Sequence, residues 1–290
     1  MVLMSTGCEK NNDEPKEPTP VDVVVISGQS NAVGCTRCDC IKTSMGHDAY
    51  QEYMQGYDDI KIAFDSWTKD GTKFYSQNKS KDNNFMKVIL GQGNGLHSFG
   101  PEIGIAQSMH EKYGGKLFLI KYACGASNLK DDWMKEQNKM YPKLIKYVQL
   151  QMQHLEEAGY IPTIKAFCWM QGEGDAWDGY YEEYYDNTKQ FVSDIREDLK
   201  DFAGGNEELP FIDAGINEYK KDWPKCIEVN EAKRQFAAES EYNIYIDTKA
   251  AGLHTNEEPY GDVDTMHLDS ESQVQLGKLF AENFEPFLAK

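Results

Sequence analysis

The chain has 290 residues, 40% of them hydrophobic and 12% aromatic, enough for one large core or two small ones. A formal net charge of −18 creates a field that repels nucleic acid and anionic lipid surfaces, which argues against both as partners. No apolar run approaches the roughly 20 residues needed to cross a bilayer.

Residues 1–20 carry no fold pattern. Met1-Val-Leu-Met-Ser-Thr-Gly-Cys8 reads as the end of a bacterial lipoprotein signal, in which small residues lead to the lipidated cysteine. That reading implies an exported protein at the outer membrane, on the cell surface or facing the periplasm. Residues 9–20 are charged and proline-rich, the composition of a disordered tether. Setting Cys8 aside leaves Cys35, Cys38, Cys40, Cys124, Cys168 and Cys226, an even number compatible with disulfides in an exported chain. Cys35, Cys38 and Cys40 with His47 could suggest zinc, but a second spaced pair is lacking. A local disulfide or simple buried thiols are expected instead, and no metal.

The folded part is expected to be a single domain over residues 21–290. Val23-Val-Val-Ile26 reads as a fully buried parallel strand that stops at Ser27-Gly-Gln-Ser-Asn31, placing Ser30 where open parallel sheets bind ligands. The competing reading is a strand-to-helix turn that Ser30 or Asn31 merely caps. Residues 35–98 are polar and weakly periodic, which predicts a long loop over the Ser30 turn. From residue 101 onward helices and strands alternate. Helices are predicted over 101–113, 141–158, 180–202, 225–240 and 269–287, and strands over 116–123, 163–170, 210–216 and 243–247. Counting the first, five strands alternate with helices, which implies right-handed crossovers and one parallel sheet covered on both faces, a three-layer α/β/α sandwich.

Polar, glycine-containing turns follow several strands: Gly28-Gln-Ser-Asn31, Cys124-Gly-Ala-Ser127 and Gln171-Gly-Glu173, with a late loop Asp264-Thr-Met-His267. A serine hydroxyl becomes a useful nucleophile only beside a base, the base needs an orienting carboxylate, and the oxyanion needs donors. Ser30, His267 and Asp264 supply the first three. The backbone N–H groups of Ser30 and Gly125 and the side-chain amide of Gln171 are the candidate oxyanion donors. Gln29, Asn31, His97 and Trp133 are candidate substrate contacts. Trp177 also follows a motif loop and is open to either sugar stacking or buried anchoring.

Gly28-Gln-Ser-Asn31, Phe99-Gly-Pro-Glu102, Ala123-Cys-Gly-Ala126 with Trp133, Trp169-Met-Gln-Gly-Glu-Gly-Asp175 and Asp264-Thr-Met-His267 occur in the order seen in the SGNH hydrolase superfamily. Within it the chain resembles the sialate O-acetylesterase-like group, which includes acetylxylan esterases, over residues 22 to about 285. The resemblance implies a flavodoxin-like fold and a serine esterase, needing no cofactor, that removes acetyl groups from sugars. It implies Ser30 as nucleophile and His267 as base, with Gly125 and Gln171 at oxyanion positions. Either Asp264 or Glu173 would partner the histidine. The chain departs from the group at Ala126, where relatives often have a second glycine, and at Met170, which replaces a polar residue.

Sialic acid is an anion best read by a bidentate arginine. Only Arg37, Arg196 and Arg234 are present, and only Arg37 falls near the Ser30 turn. With the acidic net charge this favours a neutral acetylated glycan, such as acetylated xylan. Alternatives are a sialate O-acetylesterase and a non-catalytic glycan-binding lipoprotein of the same fold.

Overall fold

In the computed structural model, residues 17–69, 73–75, 85–113, 117–205, 208–219, 221–255, 258 and 264–289 are described. Cys8 and most of the expected tether lie outside them. The strands are β1 (Thr19–Gly28), β2 (Thr36–Arg37), β3 (Tyr57–Thr68), β4 (Lys73–Tyr75), β5 (Met86–Val88), β6 (Ser98–Phe99), β7 (Leu117–Gly125), β8 (Tyr160–Met170), β9 (Phe211–Ala214) and β10 (Asn243–Ile246). The helices are α1 (Ser30–Val33), α2 (Ile41–Ser44), α3 (His47–Gln55), α4 (Glu102–Lys112), α5 (Met140–Glu157), α6 (Glu173–Asp178), α7 (Tyr184–Leu199), α8 (Cys226–Ala237) and α9 (Ser270–Phe284).

The main sheet runs β10-β9-β8-β1-β7-β3-β4, with β5 also on β3. The five expected strands stand in the order β7-β1-β8-β9-β10, all parallel, which is the flavodoxin-like 2-1-3-4-5 arrangement. β1 is apolar on both faces because it is central, and Val23, Val24, Val25 and Ile26 are all fully buried. Helices α4 and α9 pack on each other, whereas α5 lies on β7 and β8 and α7 packs on α8. Gly104 and Gly277 form the α4–α9 crossing, where a Cβ on Gly277 would lie 2.1 Å from the Pro101 carbonyl oxygen.

The structure corrects the reading of residues 35–98 as a loop. β3 pairs in parallel with β7 over nine residues, from Ile60 with Leu117 to Thr68 with Gly125, and so widens the parallel sheet beyond five strands. Ile60, Ile62 and Phe64 face the core from it. α2 and α3 also fall inside this segment. The 180–202 helix begins one turn late, after a 3-10 turn at Tyr180–Glu182, and α6 was not foreseen.

Central β1 and its neighbour β8 lead into connections on opposite sides of the sheet, and a crevice opens at such a switch point. The turns bearing Ser30 and Glu173 flank it.

Candidate active site

Strand β1 delivers Ser30 through Gly28. Gly28 sits at φ 139°, and a Cβ there would come within 2.0 Å of the Met170 carbonyl oxygen, so only glycine lets β1 and β8 close up. The Gln29 N–H then donates to that carbonyl at 2.9 Å. The N-cap position of α1 is Gln29 and has no side-chain cap, so the turn is not one that Ser30 or Asn31 caps. The half-buried Ser30 hydroxyl makes no hydrogen bond among the described residues. Its N–H, in the first turn of α1, has no intrahelical acceptor.

Asn31 joins this turn to the late loop. Its Oδ1 accepts from the Leu268 N–H at 3.1 Å, and its Nδ2 donates to Glu173 Oε1 at 3.0 Å and to the Met266 carbonyl at 3.4 Å. Thr36 Oγ1 donates to the Leu268 carbonyl at 2.7 Å, and Gln273 Nε2 donates to the Asn31 carbonyl at 3.1 Å. Residues on either side of His267 are thus fastened to the chain just after Ser30, although Ser30 and His267 do not share a hydrogen bond. Asn31 is buried with its side chain spent, which corrects its expected place among substrate contacts.

His267 Nδ1 lies 2.7 Å from Asp264 Oδ2, while Asp264 Oδ1 accepts from the N–H groups of Met266 and His267. Burial disfavours charge on the imidazole, but Asp264 and then Cys35, which lies within hydrogen-bonding reach, outweigh it and raise the pKa to about 10. Asp264 is held below the usual carboxylate range: partial burial opposes its charge, and the His267 bond prevails. Glu173 takes the other possible place. It is buried at the start of α6, bonded to Asn31 and not to the histidine, and among the described residues its Oε2 has no partner. Burial raises its pKa, tempered by Asn31 and the charges of Lys233 and His267.

Gln171 and Gln29 have structural jobs, contrary to expectation. Gln171 is fully buried, and its Nε2 donates to Asp175 Oδ2 at 2.6 Å, Gln29 Oε1 at 3.2 Å and the Ser127 carbonyl at 3.4 Å. An amide has two hydrogens, so no donor is left over for an oxyanion in this arrangement. Gln29 Oε1 also accepts from the N–H groups of Gly172 and Gly174 at 3.3 and 3.2 Å, which ties the β1 and β8 turns together. Asp175 completes the unit by accepting from the Leu129 and Lys130 N–H groups at 2.7 and 3.3 Å. Burial pushes its pKa up to about 6. Asp175 was overlooked in the sequence, although its spacing of four from Gln171 puts the two within one turn.

Gly125 is the last residue of β7, still paired with Thr68, and the turn itself is made by Ala126 at φ 58°. Trp133 is fully buried, donating from Nε1 to Ser127 Oγ at 2.7 Å, so it braces the loop from within the core rather than lining a surface for substrate as expected. His97 is exposed and lines a cleft of about 580 Å³ with Arg37, Cys38 and Tyr50. Arg37 closes its guanidinium fork onto Asp39 at 3.1 and 2.9 Å.

Cys35, Cys38, Cys40, Cys124 and Cys168 are free thiols, Cys226 forms no disulfide with any of them, and all six except Cys35 are buried. Among the described residues no three His, Cys, Asp or Glu side chains are placed to hold a metal ion. Burial pushes the Cys38 thiol up to about 12, the behaviour of an inert core thiol. Among the same residues no helix is long and apolar enough to cross a membrane.

A family model described as carbohydrate esterase, sialic acid-specific acetylesterase matches residues 20–285. The fold is similar to that of a protein from Arabidopsis thaliana (21% identity, 93% of this chain and 100% of that one, TM-score 0.63). It is also similar to NanS (13% identity, 93% and 98%, TM-score 0.63) and to a carbohydrate acetylesterase from Xanthomonas citri (14% identity, 92% and 56%, TM-score 0.59). No curated protein sequence matches the chain. With the family matched over nearly its whole folded length, the chain belongs to the sialic acid-specific acetylesterase family of carbohydrate esterases, and is a carboxylic ester hydrolase.

Proposed function

We propose that this carbohydrate acetylesterase removes O-acetyl groups from a neutral glycan such as acetylated xylan, using Ser30 as nucleophile and His267 as base. One observation carries the residue roles: Asn31 fastens the His267 loop to the turn presenting an unspent Ser30 hydroxyl. The Ser30 oxygen attacks the acetyl carbonyl as its proton passes to neutral His267 Nε2. The tetrahedral intermediate collapses, the sugar hydroxyl leaves with that proton, and water then hydrolyses the acetyl-Ser30 ester by the same relay. Bonds between nucleophile and base are often absent without substrate and tighten when it binds.

Asp264, bonded to Nδ1, is the orienting carboxylate in this reading, and Glu173 acts on the site through Asn31. The Ser30 N–H and an N–H of the Gly125 turn receive the oxyanion. Each such donor is worth roughly 2.7–4 kcal/mol in the transition state. Gln171 holds the turns that carry them.

A neutral substrate is supported by the engagement of all three arginines. Arg37 is forked onto Asp39, Arg196 donates to the Leu209 and Tyr242 carbonyls and to Asn243, and Arg234 lies with Glu231 and over the Tyr245 ring. Acetate release from acetylated xylan, acetylated xylo-oligosaccharides and O-acetylated sialic acid, by wild type and Ser30→Ala, tests the reading. Release from the xylan substrates, lost in the variant by about 10⁴-fold or more, is expected. Preference for the sialic acid ester would move the chain to the sialate reading, and glycan binding with no release from any substrate would make it a binding protein. We further propose Cys8 as a lipid anchor; membrane labelling by a palmitate analogue that persists in Cys8→Ser would refute it.

A further inference from the structure

Of the five tryptophans, Trp133 and Trp169 are buried, Trp67 and Trp223 are half-buried, and only Trp177 stands in solvent, 63% exposed. A single exposed aromatic is ordinary on a protein surface, so it is the place of this indole, with its flat apolar face open to a ligand ring, that matters. Its position says which ligand. Trp177 is four residues after Glu173 on α6, so the two share one face of the helix, the face from which Glu173 bonds Asn31 beside Ser30. The other faces of α6 are anchored. Asp175 takes the Leu129 and Lys130 N–H groups, Asp178 Oδ2 accepts from Asn128 Nδ2 at 2.7 Å, and Ala176 is buried. The indole is therefore carried by a rigid support one helical turn from the Ser30 turn. Asp178, Glu182 and Glu183 are its charged neighbours along the chain, and the nearby cation Lys130 is paired with Glu183 at 2.6 Å. An acidic rim repels an anionic sugar and leaves a neutral one unopposed.

We propose that Trp177 is a stacking platform for a neutral pyranose ring adjoining the acetylated sugar, and so determines preference for glycan esters over simple acetyl esters. This deepens the esterase reading and rests on it for the identity of the site. The C–H face of a pyranose is flat and apolar, which suits the indole face, and an adjoining ring held there places the acetyl group over Ser30.

The test compares wild type, Trp177→Ala and Trp177→Phe on acetylated xylo- and manno-oligosaccharides and on p-nitrophenyl acetate, which has no sugar ring. The ratio of kcat/KM on the oligosaccharides to kcat/KM on p-nitrophenyl acetate is expected to fall about tenfold in Trp177→Ala, equivalent to about 1.4 kcal/mol, mostly through KM, and to recover in Trp177→Phe. A ratio within roughly twofold of wild type for Trp177→Ala overturns the platform. Calorimetric binding of the same oligosaccharides to Ser30→Ala, with and without Trp177→Ala, separates the two claims. Weaker binding without Trp177 upholds the platform even if wild type hydrolyses no ester and the esterase reading falls. Equal binding overturns the platform even if hydrolysis is vigorous.

Discussion

At His267 the same contacts that orient the imidazole also keep it charged. With its pKa raised to about 10, the free enzyme holds His267 protonated at neutral pH, and a protonated imidazole cannot accept the Ser30 proton. We predict that kcat/KM on p-nitrophenyl acetate rises with pH well beyond the ordinary imidazole range. Asp264→Asn should lower the apparent pKa of that rise together with the plateau, and Cys35→Ala should lower the pKa. A profile that levels near the ordinary value of 6.5 in wild type would refute this assignment. The stability consequence has a definite sign. A group whose folded pKa is raised stabilises fully below its unfolded value, so the contribution of His267 is present below about pH 6.5 and fades as pH rises toward 10. Ala126 shows a second residue-scale tension, since φ 58° is a left-handed conformation costing an L-residue roughly 1–2 kcal/mol, offset in glycine by roughly 0.5–1 kcal/mol of extra entropy. Ala126→Gly should raise stability by about 0.5–1 kcal/mol in urea unfolding, and a loss of stability would mean the turn is not strained. Ser30, Asp264 and His267 stood out as candidates in the sequence because acyl-transfer chemistry restricts which residue types can serve, and the structure pairs Asp264 with His267. The roles of Gln29, Asn31 and Gln171 were not, because an amide both donates and accepts, and its job depends on partners brought in from distant loops.

Among the elements, α1 is only four residues long and cannot hold itself. A buried ion pair holds it. Lys121, in the middle of β7, donates to Glu102 Oε2 at 2.8 Å, the Gln92 carbonyl at 2.7 Å and the Val33 carbonyl at the end of α1 at 3.0 Å, with both charged side chains fully buried. Lys121→Met would leave Glu102 charged and unpaired, so we expect a loss of roughly 3–5 kcal/mol, with the double change Lys121→Met/Glu102→Leu losing less. A double variant as unstable as the sum of its singles would show that the pair is not coupled. The expected strands β1, β7, β8, β9 and β10 were legible because central parallel strands are apolar on both faces. β3 was missed although Ile60, Ile62 and Phe64 recur at the period of a strand. Asp58 and Asp59 just before them and Lys61 among them gave it the composition of a loop, and its outer side takes the short antiparallel β4 and β5. Helix α9 begins within a residue of its expected start, capped by Asp269, which accepts the Ser272 N–H at 2.8 Å.

In the whole molecule, the turn after β1 and the loop before α9, 237 residues apart from Ser30 to His267, form the proposed acyl-transfer centre. The 2-1-3-4-5 strand order explains how. β1 is central, α9 returns to pack on α4, and the strand ends bring both segments to the crevice between β1 and β8. The order itself was implied only by resemblance, since alternating helices and strands are compatible with several parallel sheets. The most direct test is to quench the reaction with p-nitrophenyl acetate early and locate the acetyl group by peptide mass spectrometry. One acetyl group is expected on the peptide containing Ser30 in wild type, none there in Ser30→Ala, and much slower appearance in His267→Ala. Acetate release that persists in Ser30→Ala, or an acetyl group on another residue that turns over as fast as product forms, would contradict this expectation.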